Sequence, residues 1–148
     1  MTALRVLVVD DSEVMRRGVC SLLAGEPELR VVSVASDGLE AVEQAREQQP
    51  DVILLDIGLP GLNGIEAARR IRRVAPQSKI LFLSQYDTWA TAREALRTGA
   101  TGYIVKTDAA LELVRGLWSV WSGKSFFSSS LAAHDLRRVG RRRDPSTH

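Results

Sequence analysis

The stretch Asp51-Val52-Ile53-Leu54-Leu55-Asp56-Ile57-Gly58-Leu59-Pro60-Gly61-Leu62-Asn63-Gly64 decides the fold. An apolar run ends in one carboxylate, Asp56, and the chain then breaks into a Gly/Pro loop. Such a run predicts a strand buried on both faces that delivers a single acidic side chain to the edge of a sheet. The pattern repeats outward from it. Leu4 to Val9 ends in Asp10 and Asp11, Lys79 to Leu83 ends in Ser84, and Gly102 to Val105 ends in Lys106. Four strand ends thus carry polar groups suited to phosphate and metal chemistry.

Helical periodicity fills the gaps. Ser12 caps a helix carrying Val14, Met15, Val19, Leu22 and Leu23. Arg30 to Val34 is a further strand, followed by an Asp37/Glu40 capping box and a helix through Ala41, Val42 and Ala45. Asn63 caps a helix bearing Ile65, Ala68, Ile71 and Val74, with Arg69, Arg70, Arg72 and Arg73 on its other side. Asp87 or Thr88 opens the next, and Asp108 caps a last helix to about Ser122. Five strands alternating with five helices through short links predict an α/β fold: a parallel, doubly wound, three-layer sheet. Its ligands gather at the carboxyl ends of the strands.

The chain has 148 residues, 45% hydrophobic and 26% charged, which suits one domain with a proper core. No apolar run is long enough to span a membrane. The start, Met1-Thr2-Ala3-Leu4, leaves no room for a signal peptide, and the single Cys20, read as inert packing, fits a reducing cytoplasm. Residues 124–148 hold six Lys/Arg against two Asp/Glu, so residues 1–123 carry a net charge of −2 beneath the overall +2. The expected division is a domain over 1–123 and a linker or basic tail over 124–148, with a short helix at Leu131 to Arg138.

Asp10, Asp11 and Asp56 at neighbouring strand ends bring like charges together, which demands a cation. Mg²⁺ (or Mn²⁺) suits such oxygen donors, with the backbone carbonyl of Gly58 completing the set. Lys106 and Ser84 would hold the other oxygens of a phosphoryl group on Asp56. His134 and His148 lie in the tail without a metal-ligand partner or base and read as exposed polar residues.

The motifs Val8-Val9-Asp10-Asp11, Leu54-Leu55-Asp56-Ile57-Gly58-Leu59-Pro60-Gly61, Leu83-Ser84 and Gly99-Ala100-Thr101-Gly102-Tyr103-Ile104-Val105-Lys106 together resemble the receiver domain of bacterial two-component response regulators, over about residues 4–123. The wording from Gly99 to Lys106, and Gly123-Lys124-Ser125-Phe126-Phe127-Ser128 after the last helix, are most similar to the LuxR/NarL-type class. The resemblance implies the flavodoxin-like five-stranded order 2-1-3-4-5. It implies that Asp56 is the phosphoacceptor for a sensor histidine kinase and that Ser84 and Tyr103 are a switch pair. Charge arriving at Asp56 then draws Ser84 toward the phosphate and Tyr103 inward, remodelling the surface of the fourth helix, fifth strand and fifth helix. Ser84 stands where Thr is commoner, and Lys106 is followed by Thr107 where many receivers have proline.

That class usually adds a helix-turn-helix DNA-binding domain, for which the 25 residues after Gly123 are too few. The output is therefore transcription through a domain outside this chain, or the interactions of a single-domain receiver or pseudo-receiver. An aspartyl-phosphate phosphatase fits less well, since that family resembles Asp-x-Asp after its first strand. Gly58 and Tyr86, each two residues past a site residue, are expected to flank the path of a hydrolytic water. Trp118 and Trp121, with Trp89 as a neighbour, form a candidate partner or homodimer surface. The competing expectation is that the tryptophans pack under Phe126 and Phe127.

Overall fold

A computed structural model describes residues 3–131. Its elements are β1 (Leu4–Val9), α1 (Glu13–Ala24), β2 (Leu29–Ala35), α2 (Gly38–Gln48), β3 (Val52–Leu55), α3 (Gly64–Val74), β4 (Lys79–Ser84), α4 (Trp89–Leu96), β5 (Gly102–Val105), α5 (Ala109–Trp121) and β6 (Phe126–Phe127). A 3₁₀ turn, Lys106–Asp108, joins β5 to α5. The sheet is parallel throughout, in the order β2-β1-β3-β4-β5-β6. The expected 2-1-3-4-5 order is present, but the sheet has six strands rather than five.

Alternation along each central strand splits the core in two. Leu7, Val9, Ile53, Leu55, Ile80, Phe82, Tyr103 and Val105 face α2, α3 and α4. Val6, Val8, Val52, Leu54, Leu81, Leu83 and Ile104 face α1 and α5. Both faces are covered, which is why these strands read as unbroken apolar runs. At one edge β2 exposes Arg30 and Val34, and its register with β1 slips between Val6 and Leu7. All the strands point the same way, so the ends carrying Asp10, Asp56, Ser84 and Lys106 share one rim.

Most helix starts follow their caps. Ser12, Asp37, Asn63 and Thr88 each accept the amide three residues on. The Asp37/Glu40 box differs in one bond, since the Glu40 carboxylate reaches the Ser36 amide at 3.0 Å. Asp108 does not cap α5 as expected. The 3₁₀ turn already leads the chain into that helix, and the Asp108 carboxylate accepts the Ser130 amide and hydroxyl at 2.9 and 2.7 Å.

Residues 124–131 are likewise not a free linker. Phe126 and Phe127 pair with Gly102 and Tyr103, and Ser128 and Leu131 are buried. The two-residue strand is too short to be marked by periodicity. Of the expected helix from Leu131, everything past that residue, with the tail's arginines and both histidines, lies outside the described residues.

Candidate phosphoacceptor site

Asp10 and Asp56 are each held by backbone before they meet another side chain. The Asp56 amide donates to the Val9 carbonyl at 3.1 Å, stitching the end of β3 to β1. A β-carbon on Gly64 would overlap the Asp56 carbonyl, so only glycine lets α3 start against the strand end. The Asp10 carboxylate accepts the Ser12 amide at 2.9 Å, and the Arg16 guanidinium donates to the Asp10 carbonyl at 2.7 Å. Asp10 is 3% exposed and Asp56 5%, whereas Asp11 is open to solvent.

The three carboxylates have oxygens within 4.8 Å of one another. Lys106 bridges two of them, its Nζ lying 2.8 Å from Asp10 Oδ2 and 3.1 Å from Asp56 Oδ2. Burial pushes the Asp56 carboxyl above its ordinary range, with the Lys106 ammonium opposing it. Burial works against the Lys106 ammonium too, but the carboxylates of Asp10 and Asp56 outweigh it and raise its pKa. The lysine thus stays charged beside a half-compensated acidic pair. Asp11 forms no ion pair among the described residues, so the trio keeps a solvent-facing oxygen for a hard cation.

Ser84 closes β4 with no exposed surface, and its hydroxyl accepts the Tyr86 amide at 3.1 Å. Tyr103 is fully buried beside Phe82, with ring centroids 6.4 Å apart. Its hydroxyl donates to the Tyr86 carbonyl at 2.8 Å, and burial pushes its pKa up to about 12. The ring therefore already occupies the inward position that was expected to follow loading. Tyr86 uses its backbone to join Ser84 and Tyr103 and leaves its ring half in solvent. Gly58 donates its amide to Asp56 Oδ1 at 3.4 Å, and the space beside its α-carbon is open.

The tryptophans do not form one surface. Trp89 packs on the α2–α4 side against Phe127, edge to face at 5.2 Å, and Trp118 packs on the core of the opposite, α1/α5 face. Trp121 stays exposed. Arg16 went unremarked in the sequence, although its place one turn into α1, after Asp10, was a usable signal.

The family model described as response regulator receiver domain matches residues 6–117. The transcriptional regulatory protein LnrK of Bacillus subtilis is 36% identical over 133 residues, 90% of this chain and 60% of that protein. The DNA-binding transcriptional activator DevR/DosR of Mycobacterium tuberculosis is 38% identical over 144 residues, 95% of this chain and 66% of that protein. A LuxR-family two-component response regulator from Aurantimonas sp. SI85-9A1 superposes with a TM-score of 0.86 at 35% identity, covering 94% of this chain and 99% of that one. The chain spans about 60% of the length of the curated relatives it matches.

Proposed function

This chain belongs to the family of response regulator receiver domains, and we propose that it takes a phosphoryl group from a sensor histidine kinase onto Asp56. The single observation that carries the reading is the bridge from Lys106 to Asp10 and Asp56 beside the exposed Asp11. An Asp56 carboxylate oxygen attacks phosphorus, the bond to the donor imidazole nitrogen breaks, and a mixed anhydride forms. Lys106 holds one phosphoryl oxygen by charge and Ser84 donates its hydroxyl to another. Asp11 and Asp56, with Asp10 through water and the Gly58 carbonyl, would hold Mg²⁺, or Mn²⁺ in its place, which offsets the charge on the transferring group. The donor set fits, being carboxylate oxygens with one face open to solvent.

The kinase has a surface to meet. An apolar groove of about 280 Å³ lies between α1 and α5, lined by Met15, Gly18, Val19, Leu22, Ala109 and Lys106. On the same two helices Val14 and Leu111 are 82% and 92% exposed. Such a groove suits the apolar side of a partner helix, with Lys106 at the edge nearest the chemistry. No helix among the described residues is long and apolar enough to cross a membrane. The reading sets the protein in the cytoplasm as a switch rather than a turnover enzyme. Its output is transcription, through a DNA-binding domain outside this chain, with homodimerisation on activation.

Intact mass after incubation with acetyl phosphate and Mg²⁺ tests the assignment. One phosphate that is lost in Asp56→Asn is the expected result. Rapid turnover of added phosphoesters would instead make the protein a phosphatase, and no adduct would make it a pseudo-receiver.

A further inference from the structure

Beyond α5 the chain turns back and lies along β5, where it meets Tyr103 on one side and the start of α5 on the other. Tyr103 and Phe127 are register partners in parallel strands, so their side chains share a face of the sheet. Tyr103 therefore has Phe82 on its β4 side and Phe127 on its β6 side. Trp89, the first residue of α4, closes edge-on over Phe127 with the rings at 76°. The Ser128 amide donates to the Tyr103 carbonyl at 3.1 Å, and the Ser128 hydroxyl accepts the Val105 amide at 2.9 Å. The Ser129 amide donates to Glu112 at 3.1 Å and Ser130 bonds Asp108, so α5 fastens the far end. Leu131 is buried in the same core cluster as Tyr103.

We propose that residues 126–131 form a latch that holds the Tyr103 ring inward, so that seating of the latch and phosphorylation of Asp56 favour one another. The proposal rests on the phosphoacceptor reading. An outward Tyr103 ring would turn away from Phe82 toward β6, where Phe127 and Trp89 already stand. With the latch seated, the phenol holds the Tyr86 carbonyl while the Tyr86 amide is held by Ser84. Latch, ring and hydroxyl are one connected set, and a phosphoryl group on Asp56 acts on its Ser84 end. Two events that favour the same state of a two-state element raise each other's occupancy by the same factor.

Beryllofluoride with Mg²⁺, a phosphoryl mimic, tests this on the full chain. Amide hydrogen exchange at Val105, Ser128, Ser129 and Ser130, read by NMR, should slow about fivefold on loading. Phe127→Ala removes one exposed half of an aromatic pair and should weaken beryllofluoride binding about two- to tenfold. Phe127→Leu keeps most of the bulk, should lose less, and carries the comparison if the alanine variant unfolds. Exchange that is unchanged or faster on loading overturns the latch, as does wild-type affinity in both variants, and either result leaves the phosphoacceptor reading standing. A wild-type chain that binds no beryllofluoride overturns that reading and the latch with it.

Discussion

Lys106→Met removes the ammonium and keeps most of the aliphatic stem. In the wild type that ammonium contacts carboxylate oxygens of Asp10 and Asp56, whose side chains are 4% and 7% exposed. Without it two buried acids face one another with nothing between them. Removing one partner of a buried ion pair costs about 3–5 kcal/mol, and the open side at Asp11 lets water relieve part of it, which leaves about 2–3 kcal/mol. For a domain of this size that lowers the melting midpoint by about 10 °C.

The charge account makes a second demand. A divalent cation binding among the three carboxylates supplies the missing positive charge. It also binds the folded state alone, so millimolar Mg²⁺ should shrink the deficit of Lys106→Met to about 1 kcal/mol. Asp10→Asn should shrink it too, because only one acid is then left uncompensated. The assay is urea unfolding of wild type, Lys106→Met, Asp10→Asn and the double variant, with and without Mg²⁺. A deficit that is the same in all these conditions would mean that Lys106 acts by packing. The bridge would then carry no electrostatic meaning.

Other expectations come from single features of the rim. Gly64→Ala should destabilise by about 2 kcal/mol in chemical unfolding because its β-carbon meets the Asp56 carbonyl. Gly58→Ala, with open space, should stay within about 0.5 kcal/mol of wild type. Tyr86→Ala should change the lifetime of phospho-Asp56, followed by intact mass after removal of the phosphodonor, and an unchanged decay would exclude the ring as a shield. Val14→Glu on the exposed face of α1 should slow phosphotransfer from the kinase about tenfold while acetyl phosphate labelling stays unchanged. Burial raises the Tyr103 phenol to about 12, whereas in the unfolded chain it ionises near its ordinary value. Its contribution is therefore complete below about pH 10 and is lost through about pH 12, about 2–3 kcal/mol in all. Tyr103→Phe should flatten that part of the stability–pH curve.

What the sequence made legible follows from which constraints are local. The central strands must bury both faces, so β1, β3, β4 and β5 each appear as an apolar run, and the polar residue ending each run lands on one rim. That is why Asp10, Asp11, Asp56 and Lys106 come together on the sequence alone, and why Ser12, Asp37 and Asn63 read as caps, while the fourth helix leaves Asp87 and Thr88 as alternatives until the fold selects Thr88. The bonds that were not foreseen are settled by tertiary neighbours. Asp108 has the residue type and position of a helix cap, yet the 3₁₀ turn makes that role unnecessary and frees its carboxylate for Ser130, 22 residues away. Glu112 lies within the first turn of α5, where an acid needs no partner, and it binds Ser129. Phe126 and Phe127 are too few to show a period, and what makes them a strand is the open edge of β5 together with Trp89 and Arg115, which pack on Phe127 and Phe126. An edge strand with unpaired backbone groups invites another strand. Here the chain supplies that strand from its own continuation, next to Tyr103. The sixth strand therefore covers the β5 edge and lies beside Tyr103 with the same residues.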